Sequence, residues 1–137
     1  SEMCIRDRKK LFPEEEFQFE VPTPELKLNA DRTQIEQILI NLLKNAREAC
    51  SRKSDKKIQV KARKLSAGNT TLTISDNGEG ILPDVLDKIF VPFFTTKTSG
   101  SGIGLSLCKQ IMTLHEGSIN VKSEVGKGSC FILTFPK

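Results

Sequence analysis

Tryptophan and tyrosine are absent from the 137 residues, histidine occurs once, and no apolar run approaches the roughly 20 residues that a membrane-spanning helix needs. Each absence removes a class of function. With no Trp or Tyr to stack on bases and no basic stripe beside aromatics, the chain lacks the footprint of a nucleic-acid binder. Its net charge of +4 comes from 21 basic and 17 acidic residues that are largely interspersed, and the densest basic run, Arg52, Lys53, Lys56 and Lys57, reads as a solvated loop. Cys4, Cys50, Cys108 and Cys130 form no Cys-x-x-Cys pair and have no metal-finger spacing with His115, so they read as buried thiols of a reducing, cytoplasmic compartment. There is no signal peptide, and no direct membrane contact is expected of this chain even where a parent protein is anchored.

What is present is ordinary for a globular protein: 37% hydrophobic and 28% charged residues. A chain of this length fits one domain that buries roughly two thirds of its unfolded surface. Residues 1–8 carry no period and read as a non-native or disordered extension, which leaves 9–137 as the domain. Phe17, Phe19 and Val21 alternate with polar residues as a half-buried strand does, and Leu26 and Leu28 mark another short extended piece. From Asp31 the period changes to three and four, through Ile35, Ile38, Leu39, Leu42, Ala46 and Ala49, which predicts a helix to about Arg52 capped by Asp31 with Gln34. Alternation over 57–65 and 70–76 around Gly68-Asn69 predicts a hairpin. Pro83 to Ile89 reads as a short helix, the Gly-, Ser- and Thr-rich stretch from Thr95 to Gly102 as mobile, and the stripe Ile103, Leu107, Ile111, Leu114 as a second long helix closed near Gly117. Two last strands flank Gly126-Lys127-Gly128. The pattern is α+β: a two-layer sandwich with a mixed, mostly antiparallel sheet and about three helices on one face.

Three groups of residues stand out. Asn41 and Asn45 lie four apart within the first long helix, although Asn is a poor interior helix residue because its amide competes for the backbone. They sit at the edge of the apolar stripe, where they are either solvated amides or oxygen ligands for a hard cation such as magnesium. Asp76 falls on the face of its strand shared by Leu72 and Ile74, so its carboxylate points to the core side and needs a donor, from a turn or from a ligand amino group. Gly100-Ser101-Gly102-Ile103-Gly104 opens the second long helix, where small residues and the helix dipole favour an anion, yet it matches neither the Rossmann nor the P-loop signature, since Lys97 precedes the glycines.

The order of these groups resembles the Bergerat ATP-binding family of gyrases, heat-shock chaperones, mismatch-repair ATPases and histidine kinases, from about Phe17 to Pro136. The match is nearest to the catalytic domain of sensor histidine kinases. Residues 38–46 look like the N box, Asp76-Asn77-Gly78-Glu79-Gly80 the G1 box, 88–97 the F box, Gly100 to Leu105 the G2 box, and 126–131 the closing glycine segment. The resemblance implies that the chain binds ATP with magnesium. Asp76 accepts the adenine amino hydrogen, Gly80 lets the base lie close, Asn45 ligates magnesium and Asn41 supports the phosphates. Gly102 and Gly104 offer backbone N–H groups, Lys97 reaches the phosphates, and Gly78, Gly100 and Leu105 complete the binding set. Phe90, Phe93 and Phe94 would pack at the base of a lid. Some family members carry Lys or Arg where Glu48 stands, and His115 matches a structural position.

Gyrase and chaperone members have a Glu, the general base for water, where this chain has Asn41. An amide takes no proton at neutral pH, so the resemblance implies phosphotransfer rather than hydrolysis. The acceptor would be a histidine on a separate dimerisation domain, with a response regulator as an indirect partner. A free-standing serine kinase of the anti-sigma type and a non-catalytic nucleotide module are the alternatives.

Overall fold

The computed structural model describes residues 2–11, 17–21, 26–95 and 103–137. Helix α1 spans Arg32–Ala49, α2 is the single turn Pro83–Leu86, and α3 spans Gly104–Leu114. The strands are β1 Glu2–Cys4, β2 Phe17–Glu20, β3 Lys27–Asn29, β4 Ile58–Lys64, β5 Thr70–Asp76, β6 Ser118–Glu124 and β7 Gly128–Phe135. Five of them form one sheet in the order β2-β4-β5-β7-β6, with β2 parallel to β4 and the other pairs antiparallel. The parallel pair follows from the chain path, because α1 is the crossover that parallel neighbours require.

α1 buries Ile35, Ile38, Leu39, Leu42, Leu43 and Ala46 against the sheet, and each of the Ile and Leu side chains contributes roughly 1.5–3 kcal/mol. The facing sheet positions are Val60, Ala62, Leu72, Ile74, Leu133 and Phe135, all at most 1% exposed. The expected α+β sandwich is thus present. In α3 the buried stripe is Cys108, Ile111 and Met112, whereas Ile103 and Leu114, expected on the core face, are 45% and 68% exposed. Apolar residues surround α3 on more than one face, and packing buries the arc of Cys108, Ile111 and Met112 with Leu107 partly buried against the core, so the middle of the expected stripe stays on the core side while its two ends do not.

Residues 1–8, set apart in the sequence, include a strand: β1 pairs antiparallel with β3, Met3 and Ile5 are buried, and a 3₁₀ turn, Arg6–Leu11, brings Arg8 to Glu36 of α1. Two apolar residues are too few to register as a period. The cysteines also divide: Cys50 and Cys108 are buried, and burial pushes the Cys108 thiol up to about 12, but Cys4 and Cys130 are only half-buried. Cys130 stands between the inward-facing Ser129 and Phe131 and so points to the uncovered face.

The capping of α1 ties the helices together. The Asp31 carboxylate accepts the Gln34 N–H at 3.0 Å, while the Asp31 N–H donates to His115 Nε2 at 3.0 Å. His115 Nδ1 lies 2.8 Å from the Ile111 carbonyl oxygen, so the ring carries its proton on Nδ1 and accepts on Nε2. It also meets Phe135 edge-on at 6.4 Å. His115 therefore fastens the end of α3 to the start of α1. His115→Ala is expected to lower unfolding stability by about 1–3 kcal/mol in urea while leaving nucleotide affinity unchanged, since it lies at the far end of α3 from the cleft described next.

Candidate functional site

The sheet register sets one end of the site. Phe17, Ile58, Asp76, Ser129 and Ser123 are successive partners in one row across all five strands. Asp76 ends β5, so its carboxylate reaches the rim of the core rather than its middle. Gly78 N–H donates to it at 2.8 Å and the Ser129 backbone N–H also bonds it. Burial nevertheless pushes the carboxyl above the usual aspartate range, with the two N–H groups pulling it partly back.

The loop after Asp76 is fixed from three sides. Asn77 Oδ1 accepts the Lys57 N–H at 2.8 Å, and its Nδ2 donates to the Asp55 carbonyl at 2.9 Å. Glu79 N–H bonds the Ala49 carbonyl at the end of α1 (3.1 Å), and Gly126 N–H bonds the Glu79 carbonyl (2.9 Å). Gly80 has φ +78, and a side chain there would run into the Glu124 carbonyl of the β6–β7 hairpin, so only glycine lets loop and hairpin close on one another.

Between this loop, α1 and the start of α3 lies a cleft of about 680 Å³, within the roughly 300–1,000 Å³ of ordinary ligand pockets. Asn41, Asn45, Asp76, Gly80, Gly104 and Leu105, scattered over 65 positions of sequence, all line it. Gly78 stands behind, its α-carbon against the Ala49 carbonyl, and contributes its N–H to Asp76. Lys97, Gly100 and Gly102 lie outside the described residues. Asn41 Nδ2 donates to the Gln37 carbonyl at 3.0 Å, which turns its Oδ1 toward Gly104, where an added Cβ would be 3.0 Å away. The cleft thus runs along α1, from Gly104 beside Asn41 to Gly78 beside Ala49. Eight residues at 1.5 Å per residue make that about 12 Å.

Several lining residues carried no signal of their own in the sequence. Lys44 and Glu48 continue the Asn41–Asn45 stripe at helical spacing, so Lys44 is legible once the Asn pair is taken as a face. Ser129, Ile81, Leu82 and Val125 come from the β6–β7 hairpin and the loop it meets, and only tertiary contact brings them in. Of the three phenylalanines, Phe90 is half-buried, edge-on to Phe131 at 6.5 Å with the Lys109 ammonium 5.7 Å from its ring, and Phe94 lines the cleft. Phe93, expected to pack, is 75% exposed on a backbone with φ 68, because that turn points its side chain outward.

Known proteins share this fold and much of this sequence. Sensor histidine kinase ZraS of Salmonella typhimurium is 40% identical over 110 residues, covering 80% of this chain and 23% of that protein. Signal transduction histidine-protein kinase AtoS of Escherichia coli is 43% identical over 109 residues, covering 80% of this chain and 18% of its own length. The chain therefore spans less than a quarter of either relative. Among solved structures, the catalytic domain of histidine kinase ThkA superposes with a TM-score of 0.85 at 35% identity, covering 100% of this chain and 95% of that one. ThkA in complex with the response regulator protein TrrA gives a TM-score of 0.78 at 31% identity, covering 100% and 41%. Residues 30–137 match the family model, so the chain belongs to the histidine kinase-, DNA gyrase B- and HSP90-like ATPase family.

Proposed function

We propose that the chain, its first strand β1 included, forms the catalytic domain of a two-component sensor kinase, which binds Mg-ATP in the cleft and passes the γ-phosphoryl group to a histidine on a separate dimerisation domain. The observation that carries this reading is the polarity of the cleft along α1. One end has a half-buried carboxylate that wants a hydrogen-bond donor, Asp76, and the other has an amide, Asn41, against the start of α3. An adenine amino group answers the first and phosphates the second.

Among the described residues no cluster of three or more His, Cys, Asp or Glu could hold a metal. Magnesium fits all the same, because it takes few protein ligands and keeps waters and substrate phosphates, and the Asn45 amide oxygen is the group here that would hold it. Bound there, the ion would neutralise charge on the phosphates. The chain's own part is positioning. Asp76 and the wall of Ile81, Leu82 and Val125 hold the base, and Lys44 places a cation beside the Asn pair. The backbone from Gly100 to Gly104, with Lys97, would complete the phosphate contacts.

Asn41 cannot accept a proton from water, and the cleft's α1 carboxylate, Glu48, lies about 10 Å further along the helix at the base end. Hydrolysis is therefore expected to be negligible in the isolated chain, while Asn41→Glu, which restores a carboxylate opposite Gly104, should raise steady-state phosphate release. Rapid phosphate release by the unaltered chain would contradict this reading. The partner is the phosphoacceptor domain of the parent protein, with a response regulator downstream. No helix among the described residues is long and apolar enough to cross a membrane, and we place the domain in the cytoplasm.

A further inference from the structure

Ser123, on β6, touches no ligand in the mechanism above, yet its hydroxyl meets three groups at the base end of the cleft. It accepts the Ile81 N–H at 2.8 Å and lies 3.1 Å from the Gly128 carbonyl oxygen and 2.8 Å from Ser129 Oγ. A hydroxyl has one proton and two lone pairs. All three contacts are hydrogen bonds in only one arrangement: Ser123 donates to the Gly128 carbonyl, and Ser129 donates to Ser123. Reversing the serine pair leaves the Gly128 contact without a proton. Ser129 has thus given its proton away and keeps only lone pairs to offer, and it lines the cleft in the row next to Asp76.

We propose that Ser123 is a positioning residue that sets base specificity. By taking the Ser129 proton it makes Ser129 an obligate acceptor beside Asp76, so the pocket selects a purine with a 6-amino donor over one with a 6-carbonyl. This rests on the reading of the cleft as an ATP site. A 6-oxo base would set its carbonyl oxygen against a carboxylate and a hydroxyl with no proton to give, and buried polar groups left unpaired in this way are what a hydrogen-bonding site rejects.

The full chain is titrated with Mg-ATP and with Mg-inosine triphosphate, which differ at that edge of the base. In Ser123→Ala the Ser129 proton loses its acceptor and can turn to a 6-carbonyl, so the preference for ATP should fall about tenfold, whereas Ser123→Thr, which keeps the hydroxyl, should retain it. Loosened packing would weaken both nucleotides alike and leave their ratio unchanged. An unchanged ratio in folded Ser123→Ala overturns the proposal. Should that variant fail to fold, Ser129→Ala carries the same test: loss of the acceptor lowers the ratio, and a wild-type ratio overturns the idea. An unaltered chain that binds neither nucleotide sinks the ATP reading and this proposal with it. A preference for ATP that survives Ser123→Ala sinks only the role of Ser123.

Discussion

Asp76→Asn is expected to weaken ATP binding about a hundredfold while leaving the empty domain at least as stable as the unaltered chain. The two effects have one cause. The carboxylate is held by the Gly78 and Ser129 N–H groups, but burial outweighs them and raises its pKa. A carboxyl whose folded pKa lies above its unfolded value is more stably folded when protonated. Stability is therefore lost as pH rises through that interval, and at neutral pH the ionised group costs the fold something. Asn is neutral and nearly the same shape, so it removes that cost, but it turns an amino group where an adenine donor needs an acceptor. Calorimetric titration and thermal melting of the two proteins separate the effects. In the unaltered chain the same shift should make ATP affinity decline with acid from a pH above the ordinary aspartate range of about 3.9. A variant that lost affinity only because it was misfolded would show a lower melting temperature instead.

Gly128→Ala should be the most damaging small substitution in the domain, at about 3 kcal/mol, and should weaken ATP binding as well. Gly128 opens β7 with φ +132, and a methyl group there would collide with the Asp76 carbonyl and come within 2.9 Å of Asn77 Cα. Both obstacles are backbone, so relief requires β5 and β7 to separate where Asp76 pairs with Ser129. Gly126, two residues earlier in the same hairpin, supplies the comparison. It too has a positive φ (+83), but nothing lies within 4 Å of an added Cβ, so Gly126→Ala should cost only the conformational term, about 1 kcal/mol. Urea denaturation of the pair distinguishes close approach from backbone strain. Equal losses would mean that the contact with Asp76 matters little.

The parts of the fold legible in the sequence are those in which one residue's neighbours are close in the chain. α1 was readable because six apolar residues recur at helical spacing behind an Asp cap, and the β4–β5 hairpin because alternation brackets Gly68, which indeed has φ +99. The second half of the α1 cap was not readable. Its donor, Asp31 N–H, is satisfied by His115, 84 residues away. The site divides in the same way. Asn41, Asn45 and Asp76 announce themselves by being polar where the local period expects otherwise, and the structure brings them to one cleft with Gly80, Gly104 and Leu105. Ser129 and Ser123 are also polar on the inward faces of β7 and β6, but a small hydroxyl at a strand end is a weak signal, and they become notable only through a register that sets them beside Asp76. Phe93 and the exposed ends of the α3 stripe show the converse: apolar character marks a residue as able to be buried, and packing decides whether it is.

The most direct test of the account is transfer of the γ-phosphoryl label from ATP when the chain is mixed with a histidine-bearing dimerisation domain of a related sensor kinase. The expected result is label on the added domain in an acid-labile, alkali-stable bond, dependent on magnesium and abolished by Asp76→Asn, with little free phosphate from the chain alone. Acid-stable label on a serine, or release of phosphate at the same rate with and without the added domain, would contradict it.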